Sequence, residues 1–329
     1  MKIALTGMTG HLGSAVLREL HVRNYTVKAL VRNENRPGFT SIPVDQVVGD
    51  ILKRDTLVPL MQDCDALIHA AAVISINGDP EGIVHRTNVE GTRNVMEIAK
   101  QCGVKRVIHI SSIHAYKQTP MDAILNELRE QVDEHAFAYD RSKRKGQEIA
   151  LAMNQEKMDV LVMNPTGIIG PFDFQPSKAG QMMIDLLSGR LSFVIQGGFD
   201  FCDCRDVANG IVNALTQGSP GECYVLSGKW CSLEEIVSML SDSSGRRIRV
   251  FSVPPFLAKA GLPIARLLGW IGNKEPLYTN EALAAICTGN KCTSSAKAMR
   301  DLNYRARPLH ETLRDTFQWF RESGYLGKD

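Results

Sequence analysis

The sequence has no real excess of charge of either sign. It has 38 Lys+Arg against 36 Asp+Glu, a formal net charge of +2 over 329 residues. A chain so near neutrality carries no basic face for nucleic acid or for an anionic membrane surface. Paired cysteines are missing too. The eight stand at 64, 102, 202, 204, 223, 231, 287 and 292, and only Cys202 and Cys204 are close. A single C-x-C, with no second pair and no His-x-His at ligand spacing, is no metal signature. The thiols read as reduced, apolar filler in a cytoplasmic protein. No apolar run is long enough to cross a bilayer. The longest, "FLAKAGLPIARLLGWIG" at 256–272, is broken by Lys259, Pro263 and Arg266 and reads as a pair of short packing helices. The opening "KIAL" meets glycines and polar residues at once, without the apolar stretch of a signal peptide. There is no internal repeat and no low-complexity tract. What remains is an ordinary globular composition, 44% hydrophobic and 22% charged, long enough for one large unit or two smaller ones.

What is present is an alternation. Strand-like runs at 2–7, 26–32, 45–50, 65–71, 104–112 and 158–166 are separated by helical patterns at 12–24, 53–62, 89–103 and 139–155. Apolar strands alternating with helices predict an α/β fold, a doubly wound parallel sheet covered on both faces. After Pro165 the rhythm changes. "GIIGPFDFQPS" reads as loop, 179–189 and 205–218 as helices, and "GECYVLSG" (221–228) as a strand returning to the main sheet. The remainder reads as mostly helical. The expected division is a first unit over 1–166 with 201–228 returning to it, and a smaller helical lobe from 167–200 and 229–329.

Three glycines open the first βα turn in "TGMTGHLG": Gly7, Gly10 and Gly13. Between a strand and a helix, glycines allow a tight turn, close approach of a pyrophosphate and close helix–strand packing. The helix N-terminus then offers free N–H groups and a positive dipole end. The spacing is G-x-x-G-x-x-G, and no Gly-Lys-Ser/Thr follows, so it is no Walker loop. The second strand ends in Val31-Arg32 with no acid at its tip, although Glu34 is close. Arg32 there fits a ribose 2′-phosphate, which favours NADP(H) and leaves NAD(H) as the alternative.

"Tyr139-Asp-Arg-Ser-Lys143" places a phenol and an ammonium one turn apart on one helix face. A phenol has an ordinary pKa near 10. A neighbouring ammonium is expected to lower it, fitting Tyr139 to exchange a proton with a substrate hydroxyl or carbonyl. "HISSIHAY" ends the fifth strand, on the side of the sheet where ligands bind. Ser112, deeper in the turn than Ser111, is the candidate donor to a substrate oxygen.

These segments together resemble the extended short-chain dehydrogenase/reductase superfamily, with its Rossmann-type sheet, nearly end to end. "TGMTGHLG" resembles its dinucleotide loop, which implies cofactor contacts at Gly7, Thr9, Gly10, His11, Leu12 and Gly13. "GDILKRDTL" is similar to the adenine-contacting segment, implying Asp50 and Ile51. "ALIHAAAVIS" implies Ala70, Ala71 and Ala72, and "NVEGTRNV" implies Asn88 as a brace of the active-site framework. Ser112, Tyr139 and Lys143 fall on the catalytic positions, with Ser111 beside them. "NPTGIIGP" implies Asn164 and Pro165 at the nicotinamide. "FDFCDCRDVANG" and the C-terminal "KAMRDLNYRARPLHETLRDTFQWF" resemble later landmarks. The wording lies nearest the dihydroflavonol reductase-like and 3β-hydroxysteroid dehydrogenase-like branches. Nucleotide-sugar epimerases are the runner-up, against which "IQGGFDFCDC" carries little positive charge. The resemblance implies a nicotinamide-dependent oxidoreductase acting on a carbonyl or secondary alcohol of a small molecule. It also implies a homodimer through helices 89–103 and 139–155. A non-catalytic dinucleotide-binding regulator is a further alternative, against which the intact Ser112, Tyr139 and Lys143 count. His114, close behind Ser112, reads as a substrate contact or a polar turn filler. Phe172, Phe174, Met182, Met183 and Trp270 could line a pocket, with core packing the more ordinary expectation.

Overall fold

The protein is described by a computed structural model over residues 1–33, 42–261 and 279–327. Glu34, Trp270 and most of the 256–272 segment fall outside these described residues. The described strands are β1 (Lys2–Thr6), β2 (Thr26–Val31), β3 (Asp45–Val48), β4 (Ala66–His69), β5 (Arg106–Ile110), β6 (Asp159–Pro165), β7 (Gly167–Ile169), β8 (Phe193–Ile195), β9 (Gly198–Asp203), β10 (Cys223–Leu226), β11 (Lys229–Ser232) and β12 (Phe251–Val253).

Seven of them form the central sheet in the order β10-β6-β5-β4-β1-β2-β3, and every pairing in it is parallel. Successive side chains of a strand face opposite sides, and β1 feeds two cores in this way. Ile3 and Leu5 enter one core with Val16 and Leu17 of helix α1 (His11–Val22). Ala4 between them enters a second core with Leu57 and Leu60 of α2 (Arg54–Met61) and Val95 of α3 (Thr92–Gln101). Burial on both faces explains why the strands read as continuous apolar runs. Helix α4 (Ala138–Ala152) covers the second face beside α3, and α1 packs on α6 (Cys204–Asn213); α5 is Lys178–Leu187. The chain winds outward in both directions from β1, so a crevice opens at the carboxyl ends of β1 and β4.

Beyond Pro165 helices predominate among the described residues, as expected, but short strands stand among them. The segment expected as loop begins with β7. A three-stranded sheet, β11-β9-β7, and a two-stranded sheet, β12-β8, stand beside helices α7 (Leu233–Ser244), α8 (Asn280–Thr288), α9 (Ala296–Asp301) and α10 (Leu309–Glu322). Strands of three to six residues interrupted by glycines are too short to show a period of two. The returning strand lies where expected: β10 pairs in parallel with β6 at the sheet edge. Met183 is core, and Met182 packs against that same core. Phe172 and Phe174 pack on the first core beneath the Arg18 guanidinium. These four side chains are therefore packing residues.

Candidate active site

The glycine loop is built from two different necessities. Gly7 has φ +78°, and a Cβ there would lie 2.6 Å from the Ala70–Ala71 backbone. A Cβ on Gly13 would stand 1.9 Å from the Gly7 carbonyl oxygen. Gly10 differs. Its nearest neighbour would be 3.5 Å away, it is exposed, and it heads α1 without any side-chain cap. Packing does not ask for glycine at that position. A bare, uncapped helix N-terminus of this kind fits a pyrophosphate. Thr9 and Leu12 are half-buried on either side. Arg32 is exposed just beyond β2.

At the carboxyl end of β5, Ser112 is buried and accepts a hydrogen bond from the His114 backbone N–H at 3.2 Å. The Ser112 hydroxyl also acts on the Tyr139 phenol, favouring its ionised form. Ser111 turns away, its hydroxyl donating to the Lys143 carbonyl at 3.3 Å. Lys143, 6% exposed, donates from Nζ to the Ile110 carbonyl at 3.0 Å. Burial holds its ammonium down to about 8. Tyr139 departs from expectation. Burial pushes its phenol up to about 12; the Ser112 hydroxyl acts against this, and the Asp140 charge adds to it. Lys143 is not among the causes. Its ammonium is engaged by the end of β5, and desolvation of the phenol outweighs everything else.

Residues 3–227 match the model of the NAD dependent epimerase/dehydratase family. The chain belongs to that family. Among relatives, sterol demethylase protein B of Methylococcus capsulatus is 28% identical over 99% of this chain and 100% of its own. A 4-hydroxy-2-methyl-3-oxo-4-farnesyl-3,4-dihydroquinoline-1-oxide ketoreductase of Stigmatella aurantiaca is 28% identical over 100% of this chain and 98% of its own. The crystal structure of gox2253 superposes with a TM-score of 0.83 at 31% identity, over 99% of both chains. The superfamily expected from the glycine loop and the Tyr–Lys pair is therefore the right one, and the chain is an NAD-dependent enzyme of the extended short-chain type.

In this family member Asn88 sits in a wide π turn, Arg86–Gly91, just ahead of α3. The widened turn lets its buried side chain bridge three elements. Its Nδ2 donates to the Val73 carbonyl and to Ser142 Oγ, both at 2.9 Å, while its Oδ1 accepts from the Val73 N–H at 2.8 Å. Ala71, Ala72, Asn88, Ser142 and Lys143 line a narrow crevice beside it. Asn164 is fully buried; its Nδ2 donates to the Ser112 carbonyl at 3.0 Å and to Gln147 Oε1 at 2.7 Å. Pro165 ends β6 next to it, and Ala70 follows β4. Ile51 is buried against Gly91, and Asp50 accepts from the Leu52 N–H at 2.9 Å. His11 points away from the loop, its Nε2 3.1 Å from the Pro171 carbonyl.

One part of the site was missed from sequence: a histidine pair behind Lys143. His69 and His109 are register partners on β4 and β5, with ring centroids 5.3 Å apart. His69 Nδ1 meets Thr6 Oγ1 at 2.7 Å and its Nε2 meets Thr92 Oγ1 at 3.2 Å. Burial, with Lys143 adding to it, drives His69 down to about 3. Burial also holds His109 well below its usual range, helped by His69 and Lys143. The signal was available, because "IHAA" and "IHIS" carry histidine at matching positions of adjacent parallel strands.

Among the described residues no helix is long and apolar enough to cross a membrane, and no cluster of His, Cys, Asp or Glu could hold a metal ion.

Proposed function

We propose that the protein is an NADP(H)-preferring carbonyl reductase, equivalently an alcohol dehydrogenase, acting on a small organic substrate. The observation that carries this reading is the meeting of buried Ser112, at the end of β5, with Tyr139 and Lys143 one turn apart on α4. A bound nicotinamide supplies or accepts the hydride. In reduction, Ser112 holds the substrate oxygen and Tyr139 gives it a proton as the carbonyl carbon gains hydride. Lys143 binds the nicotinamide ribose, and Arg32 pairs with the 2′-phosphate. Residues 167–200 and 229–329 supply the substrate lobe. A phenol held near 12 keeps its proton at neutral pH, which suits it to donate in reduction. The name of the Stigmatella relative, a ketoreductase whose substrate carries neighbouring oxo and hydroxy groups, supports a ketone as the substrate class.

The test is Tyr139→Phe against a panel of ketones. Expected is a loss of roughly a hundredfold to ten-thousandfold in kcat/KM, with dinucleotide affinity retained. Wild-type turnover by the variant would overturn the proton route. A tenfold or greater preference for NADH over NADPH would remove the role given to Arg32.

A further inference from the structure

Gln147 is 1% exposed and lies one turn past Lys143 on α4. Residues four apart share a helix face, so Tyr139, Lys143 and Gln147 form one stripe. The proposed chemistry uses the first two and leaves a buried amide without a task. That amide reaches both ends of the turn that carries Ser112. On one side its Oε1 accepts from Asn164 Nδ2 at 2.7 Å, and the same Nδ2 donates to the Ser112 carbonyl at 3.0 Å. On the other side its Nε2 donates to the Tyr116 phenol oxygen at 3.2 Å. Ser112 and Tyr116 bracket the short 3₁₀ turn Ile113–Ala115.

A carbonyl only accepts, so Asn164 presents its nitrogen to Ser112. This orientation makes Gln147 Oε1 the acceptor of the second Asn164 proton and Gln147 Nε2 the donor to Tyr116. It also leaves Asn164 Oδ1 buried with no partner among the described residues. An unsatisfied buried amide oxygen is destabilising, and apolar side chains of similar shape would avoid that loss. The polar link is kept all the same, and it joins the serine turn to the helix that carries the phenol.

We propose that Gln147 is a positioning residue for the reaction. Through Asn164 and Tyr116 it fixes the Ser112 turn to α4, and so places the Ser112 hydroxyl on the substrate oxygen that Tyr139 protonates. This inference rests on the oxidoreductase reading above.

The experiment is a double-mutant cycle of Gln147→Met with Ser112→Ala in the full chain. It reads kcat and KM with NADPH for the best ketone of the panel used with Tyr139→Phe. Methionine has the length of glutamine without its N–H donors. Tyr116→Phe removes only the phenol oxygen, and it carries the same cycle if Gln147→Met does not fold. Gln147→Met is expected to lose about tenfold or more, chiefly in kcat, with NADPH affinity within about threefold of wild type. Tyr116→Phe should lose less. In the Ser112→Ala background either substitution should cost less than about twofold, because nothing is left for it to place. Equal costs in both backgrounds mean a general structural role and overturn the proposal, as does wild-type turnover in Gln147→Met. If no ketone is reduced, the oxidoreductase reading fails, and hydrogen exchange decides the link separately. The Ala115 N–H bonds the Ser112 carbonyl and should exchange faster in Gln147→Met and in Tyr116→Phe. Unaltered exchange there overturns the link.

Discussion

Lys143 shows at the scale of one residue how function opposes stability. The proposed mechanism needs an ammonium there, and the fold buries it against one backbone carbonyl. A lysine lowered from 10.5 to about 8 binds fewer protons folded than unfolded between those values. Stability therefore rises with pH across that window, and below about 8 the buried charge costs on the order of 3 kcal/mol. Lys143→Met fills the same space without the charge. We expect it to abolish turnover yet raise stability by about 1–3 kcal/mol at pH 7, the gain fading by pH 10.5. Urea melts at both pH values check this, and a variant less stable at pH 7 would refute it. The sequence made Tyr139 and Lys143 visible through their spacing. It could not show which force would govern their pKa values. Spacing sets how near two charges lie, whereas desolvation depends on what the rest of the chain packs over them. The same gap hid the partners of Asn88, which needed a π turn to bring Val73 and Ser142 within reach.

At the scale of elements, the first βα turn separates two reasons for glycine that look identical in sequence. Gly13→Ala drives a methyl into the Gly7 carbonyl, and helix α1 must move off β1. Overpacking of this kind costs about 1–3 kcal/mol, and dinucleotide affinity should fall with it. Gly10→Ala meets nothing closer than 3.5 Å, so stability should stay within about 1 kcal/mol of wild type. Dinucleotide affinity should still fall tenfold or more, because the methyl fills the approach to the helix N-terminus. Thermal melts paired with titration of NADPH separate the two. If Gly10→Ala binds as tightly as wild type, the loop does not hold a pyrophosphate. The strands of the central sheet were readable because double-sided burial leaves long apolar runs. The strands β7, β8, β11 and β12 were not, since three or four residues beside Gly and Pro carry no usable period.

At the scale of the whole molecule, the chain is joined at a clasp outside both motifs. Asn290, 2% exposed and preceding α9, donates from Nδ2 to the carbonyls of Gln118, Pro120 and Ala123 at 3.2, 3.1 and 2.9 Å. The chain beside it continues the contact: Lys291 N–H bonds the Met121 carbonyl, and Leu125 N–H bonds the Cys292 carbonyl. The clasped loop is the one that leaves Ser112 and His114, and Gln118 ties back to the Ile113 carbonyl. A residue from the C-terminal part of the chain thus holds the exit of the candidate catalytic strand. Asn290→Ala removes the three hydrogen bonds of a buried amide, at a cost of about 1–3 kcal/mol. Hydrogen exchange should quicken at Lys291 and Leu125, whose N–H groups bond across the clasp. Turnover should drop as the Ser112 turn loosens. NADPH affinity should change less than about threefold, because the glycine loop follows a different strand from the one the clasp holds. Unaltered exchange at these two residues would show that the backbone pairing holds the loop without Asn290, and that the link between the two halves runs elsewhere.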